Sequence, residues 1–379
     1  MAVVTRYFST AAAGLGDGTS WADRAALFSS GNWSSVITGF NFSGSDSLEV
    51  RVEGGLTYTC SQAMASGLFA NAPTIANLLF VHGCDSNGEK LVPAYWVSAG
   101  SAINTSTFPT ISCASNINIS SLVNAFWRCI AFSSSARPSE IMQAGSFDNV
   151  ALTISNTGSS IIGFNSPSRI TNSQVLFTGG SFASGISTPL YLENVRIDGS
   201  SATTAGTRIG VNTGAVGYWA GGLTVIGCAG GGVVLAAAQV SRSGYIWRST
   251  IVGCGSSGIL CNGTASQTAW HQIHGCYVSG NSAYGINANG SFTNSSNNRL
   301  RNNTSGNHNG FGNYPTNQDY TLSGTDSDEF VNAAGGDYRI KNTAAIWGLG
   351  YGAGDEPPAA SGGSALHLGG LGQTGIGVF

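Results

Sequence analysis

Three segments within residues 223–288 can be laid over one another: L-T-V-I-G-C-A-G-G-G-V-V (223–234), S-T-I-V-G-C-G-S-S-G-I-L (249–260) and C-Y-V-S-G-N-S-A-Y-G-I-N (276–287). In each, an apolar anchor (Val225, Ile251, Val278) is followed two positions on by glycine (Gly227, Gly253, Gly280). A small or polar residue comes next (Cys228, Cys254, Asn281), and a Gly-apolar pair follows (Gly232-Val233, Gly258-Ile259, Gly285-Ile286). The anchors are 26 and 27 residues apart. A period in the twenties is too short for a unit with its own core. Such a unit buries its apolar face only when the next one stacks on it, which is the signature of a solenoid.

The repeat extends in both directions. Ile197 falls over Val225 with Gly199 over Gly227, an offset of 28, and Leu300 follows Val278 by 22 with Asn303 in the Cys254/Asn281 column. Before residue 170 strands are legible at 47–53, 78–84, 125–132 and 150–156, but the spacing is loose. If residues 31–340 form coils of about 25 residues, about a dozen stack into a rod about 60 Å long at one strand per coil. Composition agrees: 9% of residues are charged, 42% are apolar and 55 are glycine, which suits short strands between frequent turns.

The ends read differently. A solenoid terminus exposes strand edges and needs a cap. Residues 1–30 are the candidate, with Ser20 as N-cap of a short helix whose apolar face is Trp21, Ala25, Leu27 and Phe28. Residues 341–379 read as an exit, a Pro357-Pro358 break and an apolar Gly-rich tip, L-H-L-G-G-L-G-Q-T-G-I-G-V-F, expected to order only against another surface. No secretory signal is legible in residues 1–10, and no apolar run approaches a membrane span. The eight cysteines contain no C-x-x-C pair and recur at repeat positions, so they read as reduced packing residues and not as disulfides or zinc ligands. Two lysines and thirteen arginines leave a net charge of −3, without the basic footprint of a nucleic-acid binder.

The strict units resemble coils of right-handed parallel β-helices of the pectate-lyase-like superfamily. The opening G-D-G-T-S-W-A (16–22) is similar to the start of many such domains, and F-V-N-A-A-G-G-D-Y-R-I (330–340) to their D-Y-R-L ending. Where the family continues S-P-A-I-D-x-G, this chain has T-A-A-I-W-G-L-G, without the acid. The resemblance implies an all-β solenoid and spans most of residues 7–350. It does not select a function, because the superfamily holds lyases, glycosidases, phage tailspikes and surface adhesins.

Glycosidases need two carboxylates on one surface, and the family's lyases mostly cluster carboxylates around calcium. No Asp or Glu occurs between Asp198 and Asp319, which removes that chemistry from the most regular coils. Glu193 and Asp198, at the two ends of one strand, are the catalytic candidates that remain. Asp148, Glu140, Asp85 and Glu89 lie earlier, and Asp326, Asp328 and Glu329 read as a polar turn. A metal-free lyase would use His and Tyr with Arg, and His271, His274, Tyr277 and Arg248 fall on neighbouring coils. The two histidines, three apart in a strand, are expected on opposite faces, which favours turn or hydrogen-bonding roles over catalysis. No metal ligand set and no cofactor motif is present.

Aromatic residues carry the stronger signal. Six before each anchor stand Tyr191, Trp219 and Tyr245, then Gln272; four before stand Glu193, Gly221, Trp247 and His274. Two readings stay open. Strand parity gives both columns the inward sense of the anchors, an aromatic stack inside the rod. A bend between strands would reverse them into an outer platform on which sugar rings stack, and Glu193 would be out of place in a core.

The function expected from these features is that of a phage virion protein of tailspike or fibre type, a homotrimer of parallel rods. It would bind host-surface glycan through Tyr191, Trp219, Tyr245, Trp247 and His274, and other virion proteins through the tail. The alternatives are a polysaccharide lyase or glycosidase and a cell-surface adhesin.

Overall fold

The computed structural model describes residues 2–355 except 45, 93–99, 114–118, 136–139, 156–160, 180–181, 203–208, 214–217, 236–243, 263–270, 290–292, 311–316 and 322–323. It is an all-β solenoid in which long sheets of parallel strands stack rung upon rung. The first face begins at Val3–Ser9 and runs through Ser47–Glu53, Leu79–Cys84 and Ala125–Arg128, then on to Tyr218–Gly221, Gly244–Trp247 and His271–His274. A second face includes Thr57–Cys60, Thr110–Cys113, Ala131–Ser134, Thr224–Ile226, Thr250–Val252 and Tyr277–Ser279. A third is a separate eight-stranded sheet from Glu140–Gln143 to Gly306–Asn309.

The anchor column is continuous. Phe132, Leu152, Val175, Ile197, Val225, Ile251, Val278 and Leu300 are in register, and each is 1% exposed or less. The loose early spacing therefore hides the same repeat, since Ile111 and Tyr58 also pair into this column. The third face comes so close to it that no side chain fits between. A Cβ on Gly232 would stand 2.4 Å from Ile251 Cγ2, and one on Gly258 would stand 2.5 Å from Val278 Cγ1. This explains Gly232 and Gly258; at Gly285 the space is taken by Asn303 Nδ2, 2.8 Å from where a Cβ would stand.

One corner sets the whole geometry. Three residues before each of those anchors stands Cys129, Asn149, Asn172, Asn194, Gly222, Arg248, Gly275 or Asn297, and all eight have φ between 45° and 64°. This left-handed conformation is open to glycine, tolerated by asparagine and costly for other residues. It interrupts strand alternation between the first and second faces. On Tyr191–Asp198 the buried apolar residues are Leu192 before the corner and Val195 and Ile197 after it, while Tyr191 and Glu193 stay partly exposed.

Two expectations need correction. Residues 16–24 form turns and not a helix: Ser20 Oγ accepts the Asp23 N–H at 3.1 Å but caps only that turn. Ala25–Ala26 is instead a strand beside Phe8 and Ser9, and Leu27 is fully buried, because pairing with the first rung satisfies both backbone and apolar side chains. The cluster of Asp326, Asp328 and Glu329 is not the polar turn expected. It forms the short helix Asp326–Glu329 with a Thr325/Asp328 capping box. Asp326 accepts hydrogen bonds from Tyr277 Oη (3.1 Å) and Ser279 Oγ (2.7 Å), and Glu329 pairs with Arg301 at 3.0 Å. The described part of the exit packs along the rod. Phe330, Ile340 and Ile346 bury the outward side chains Ile226, Val252 and Tyr277 of the second face. Residues 356–379, including Pro357-Pro358 and the apolar tip, lie outside the described residues.

All eight cysteines are free and buried, and Cys228 and Cys254 stack at one repeat position. Burial pushes the Cys254 and Cys276 thiols up to about 12. A thiol reagent is therefore expected to label almost none of the eight in native protein and all eight after denaturation without reductant; labelling of fewer after denaturation would mean disulfides. Gly258→Ala should lower stability by about 1–3 kcal/mol through overpacking, read as a loss of unfolding midpoint without a change in the far-ultraviolet spectrum.

Candidate functional site: an aromatic strip on the first face

The left-handed corner turns the aromatic columns outward, so the internal stack that parity implied does not form. One outward column runs Phe80, Phe126, Ser146, Arg169, Tyr191, Trp219, Tyr245, Gln272 and Asn294 in strict register. Beside it run His82, Arg128, Asp148, Thr171, Glu193, Gly221, Trp247, His274 and Ser296. All five residues expected to bind a ligand thus share one surface.

Their contacts differ. Tyr191 and Trp219 stack with centroids 4.4 Å apart and planes 8° apart, and the Arg169 guanidinium lies 5.0 Å from the Tyr191 ring centroid. Trp219 meets Trp247 edge to face at 5.1 Å and 63°. Tyr245 is 42% and Trp247 43% exposed. His274 is exposed, with Nδ1 3.0 Å from Ser296 Oγ. His271, on the same strand, is buried beside Tyr218, its Nδ1 3.3 Å from the phenol oxygen, so the two histidines do face opposite ways.

The two catalytic candidates have separate partners. Glu193 accepts a hydrogen bond from Tyr191 Oη at 2.8 Å. Burial, and then that bond, push the Tyr191 phenol up to about 12. Asp198 lies beyond the corner on the second face, paired with the buried Arg196 at 2.9 Å, and accepts the Ser200 N–H. Arg196 also donates to the Gly100 and Gly336 carbonyls, so Asp198 belongs to the contact that fastens the exit segment. Among the described residues no cluster of three His, Cys, Asp or Glu is placed to hold a metal ion.

Sequence reasoning missed Phe80, Phe126 and Arg169. The first two stack at 5.5 Å on rungs whose spacing obscured the repeat. The legible signal was the asparagine or glycine three residues before six of the eight anchors, which marks where parity resets. No protein-family model, no curated protein and no solved structure matches the chain.

Burial lowers the His271 pKa from 6.5 to about 4, and burial also brings His82 to about 4. At pH 7 both rings are neutral, folded or unfolded. Below about 6.5 only the unfolded chain takes up the protons, so stability falls as pH drops and levels off once the folded rings titrate near 4. Denaturant midpoints measured from pH 7 to 4.5 should decline, and His271→Gln should decline less steeply.

Proposed function

We propose that this protein is a glycan-holding rod of the tailspike or fibre kind, and that it works in a virion assembled in the host cytoplasm. In this reading the chain is a right-handed parallel β-helix of the pectate-lyase-like type. It has about a dozen coils, with residues 1–30 capping the rod, 31–340 forming it and 341–379 including the tail that docks on other virion proteins. Three chains associate with their rods parallel, and the first face meets host-surface polysaccharide.

The observation that carries the reading is the outward cluster of Tyr191, Trp219, Tyr245 and Trp247 on three successive rungs. Rings ordered at about 4.8 Å intervals on a rigid sheet offer apolar surface at little entropic cost, and an extended sugar chain repeats at a comparable interval. The absence of Asp and Glu from residues 199–318 supports holding over cutting on these coils. A second reading, a polysaccharide depolymerase, is favoured by one observation: Glu193 stands in the strip itself, on Tyr191. Asp198, on the other face, does not serve as its partner in that reading.

Light scattering after size exclusion should give three times the 38.6 kDa chain mass; a clean monomer would count against the fibre assignment. A panel of capsular and lipopolysaccharide glycans should quench tryptophan fluorescence. Trp219→Ala and Trp247→Ala should each weaken binding by about tenfold, the order expected from losing one ring contact of about 1.4 kcal/mol. Release of reducing ends or of products absorbing near 235 nm, abolished by Glu193→Gln, would favour the depolymerase.

A further inference from the structure

The ring cluster has two halves that leave different things open. Tyr191 is enclosed between Arg169 and Trp219, and Trp219 spends one face on Tyr191. Trp247 does not continue this stack, because its plane is turned 63° from that of Trp219. Gly221 permits the turn. A Cβ on Gly221 would stand 1.6 Å from Trp247 Nε1 and 2.4 Å from Cδ1, so the indole lies back over the preceding rung in space that only glycine leaves free. Tyr245, two residues earlier, is exposed beside it.

The next rung supplies polar groups at the same positions. Register sets Gln272 against Tyr245 and His274 against Trp247, and both are exposed. The Gln272 amide can donate and accept, and Ser296 engages His274 Nδ1, so Nε2 is the histidine's other polar atom. Among the described residues, charged side chains are missing beside these rings. No acid lies on these rungs. Arg248, the residue after Trp247, turns around the corner, its guanidinium beside Gly350 and near Asp355.

The geometry points to a subsite for one uncharged hexopyranose, its C–H face on Trp247 and its hydroxyls on Gln272 and His274, bound without a metal ion. This inference rests on the glycan-holding reading above and adds the chemical class of the bound unit. Gly221 is a positioning residue in it: it touches no sugar but sets where the indole lies. Among the described residues of these rungs a carboxylated sugar would find no cation beside Trp247, with Arg248 turned around the corner, and a calcium-bridged one would find no carboxylate.

The test is calorimetric titration of the full-length protein with neutral hexose oligosaccharides, and with an acidic polysaccharide and its carboxyl-reduced form, each in EDTA and in calcium. The expected result is binding of neutral and carboxyl-reduced ligands, with Kd unchanged within twofold between EDTA and calcium. Gly221→Ala should weaken binding at least tenfold with every contacting side chain still present, and Gln272→Ala at least threefold. Trp247→Ala serves if Gly221→Ala lowers the melting temperature. Binding of the acidic polymer alone, or loss of binding in EDTA, overturns the neutral subsite and leaves glycan holding in place. Binding of no glycan, or binding unaffected by Trp247→Ala and Trp219→Ala, overturns both.

Discussion

Rung-on-rung hydrogen bonding in constant register is the constraint on which the molecule depends, and one left-handed residue per rung decides what that register exposes. A parallel strand that simply alternated would place Tyr191, Glu193, Val195 and Ile197 on one side. With Asn194 at φ 53° the first pair turns to the surface and the second stays in the core. The corner is reinforced from rung to rung: Asn194 Nδ2 donates to Asn172 Oδ1 at 3.0 Å, and Asn172 Nδ2 to Asp148 at 2.9 Å. Stacked amides hold a backbone conformation that side chains otherwise resist, and the surface strip inherits their order.

The core changes character along the rod. Three residues after each anchor, Cys228 and Cys254 give way to Asn281 and Asn303. Asn281 Oδ1 accepts the Cys254 N–H at 2.9 Å, and Asn303 Oδ1 accepts from both the N–H and Nδ2 of Asn281. Near the last rungs the buried Asp319 carboxylate gathers Ser295, Asn298 and His308. Buried polar groups of this kind are tolerated because their bonds are made.

Much of this was legible in the residues. The anchors, the glycines beside them and the Cys-to-Asn column all appear at their expected positions, because in-register stacking puts equivalent residues directly over one another. Alternation also separated His271 from His274 correctly, since no corner falls between them. What alternation misjudged was Tyr191, Trp219 and Trp247, where the corner intervenes. Gly222, Gly275 and Asn194 mark it, but Arg248 and Cys129 at the same position carry no such hint. The N-terminal helix failed for another reason. Ala25, Leu27 and Phe28 fit either period, and a neighbouring strand at Phe8 decided between them, which local propensity does not see.

The exit segment has a consequence for how the rod holds together. In a plain solenoid each coil touches only its neighbours, so such a stack can fray one coil at a time. Here Ala353 bonds to Thr250, Gly336 to Arg196 and Asp326 to Tyr277, joining residues 103, 140 and 49 positions apart. One strap of chain thereby ties rungs from Arg196 to Arg301 to a common element, and opening any one of them means lifting what the others also grip. A one-dimensional stack becomes a cooperative block, and the coils that carry the rings lie within it.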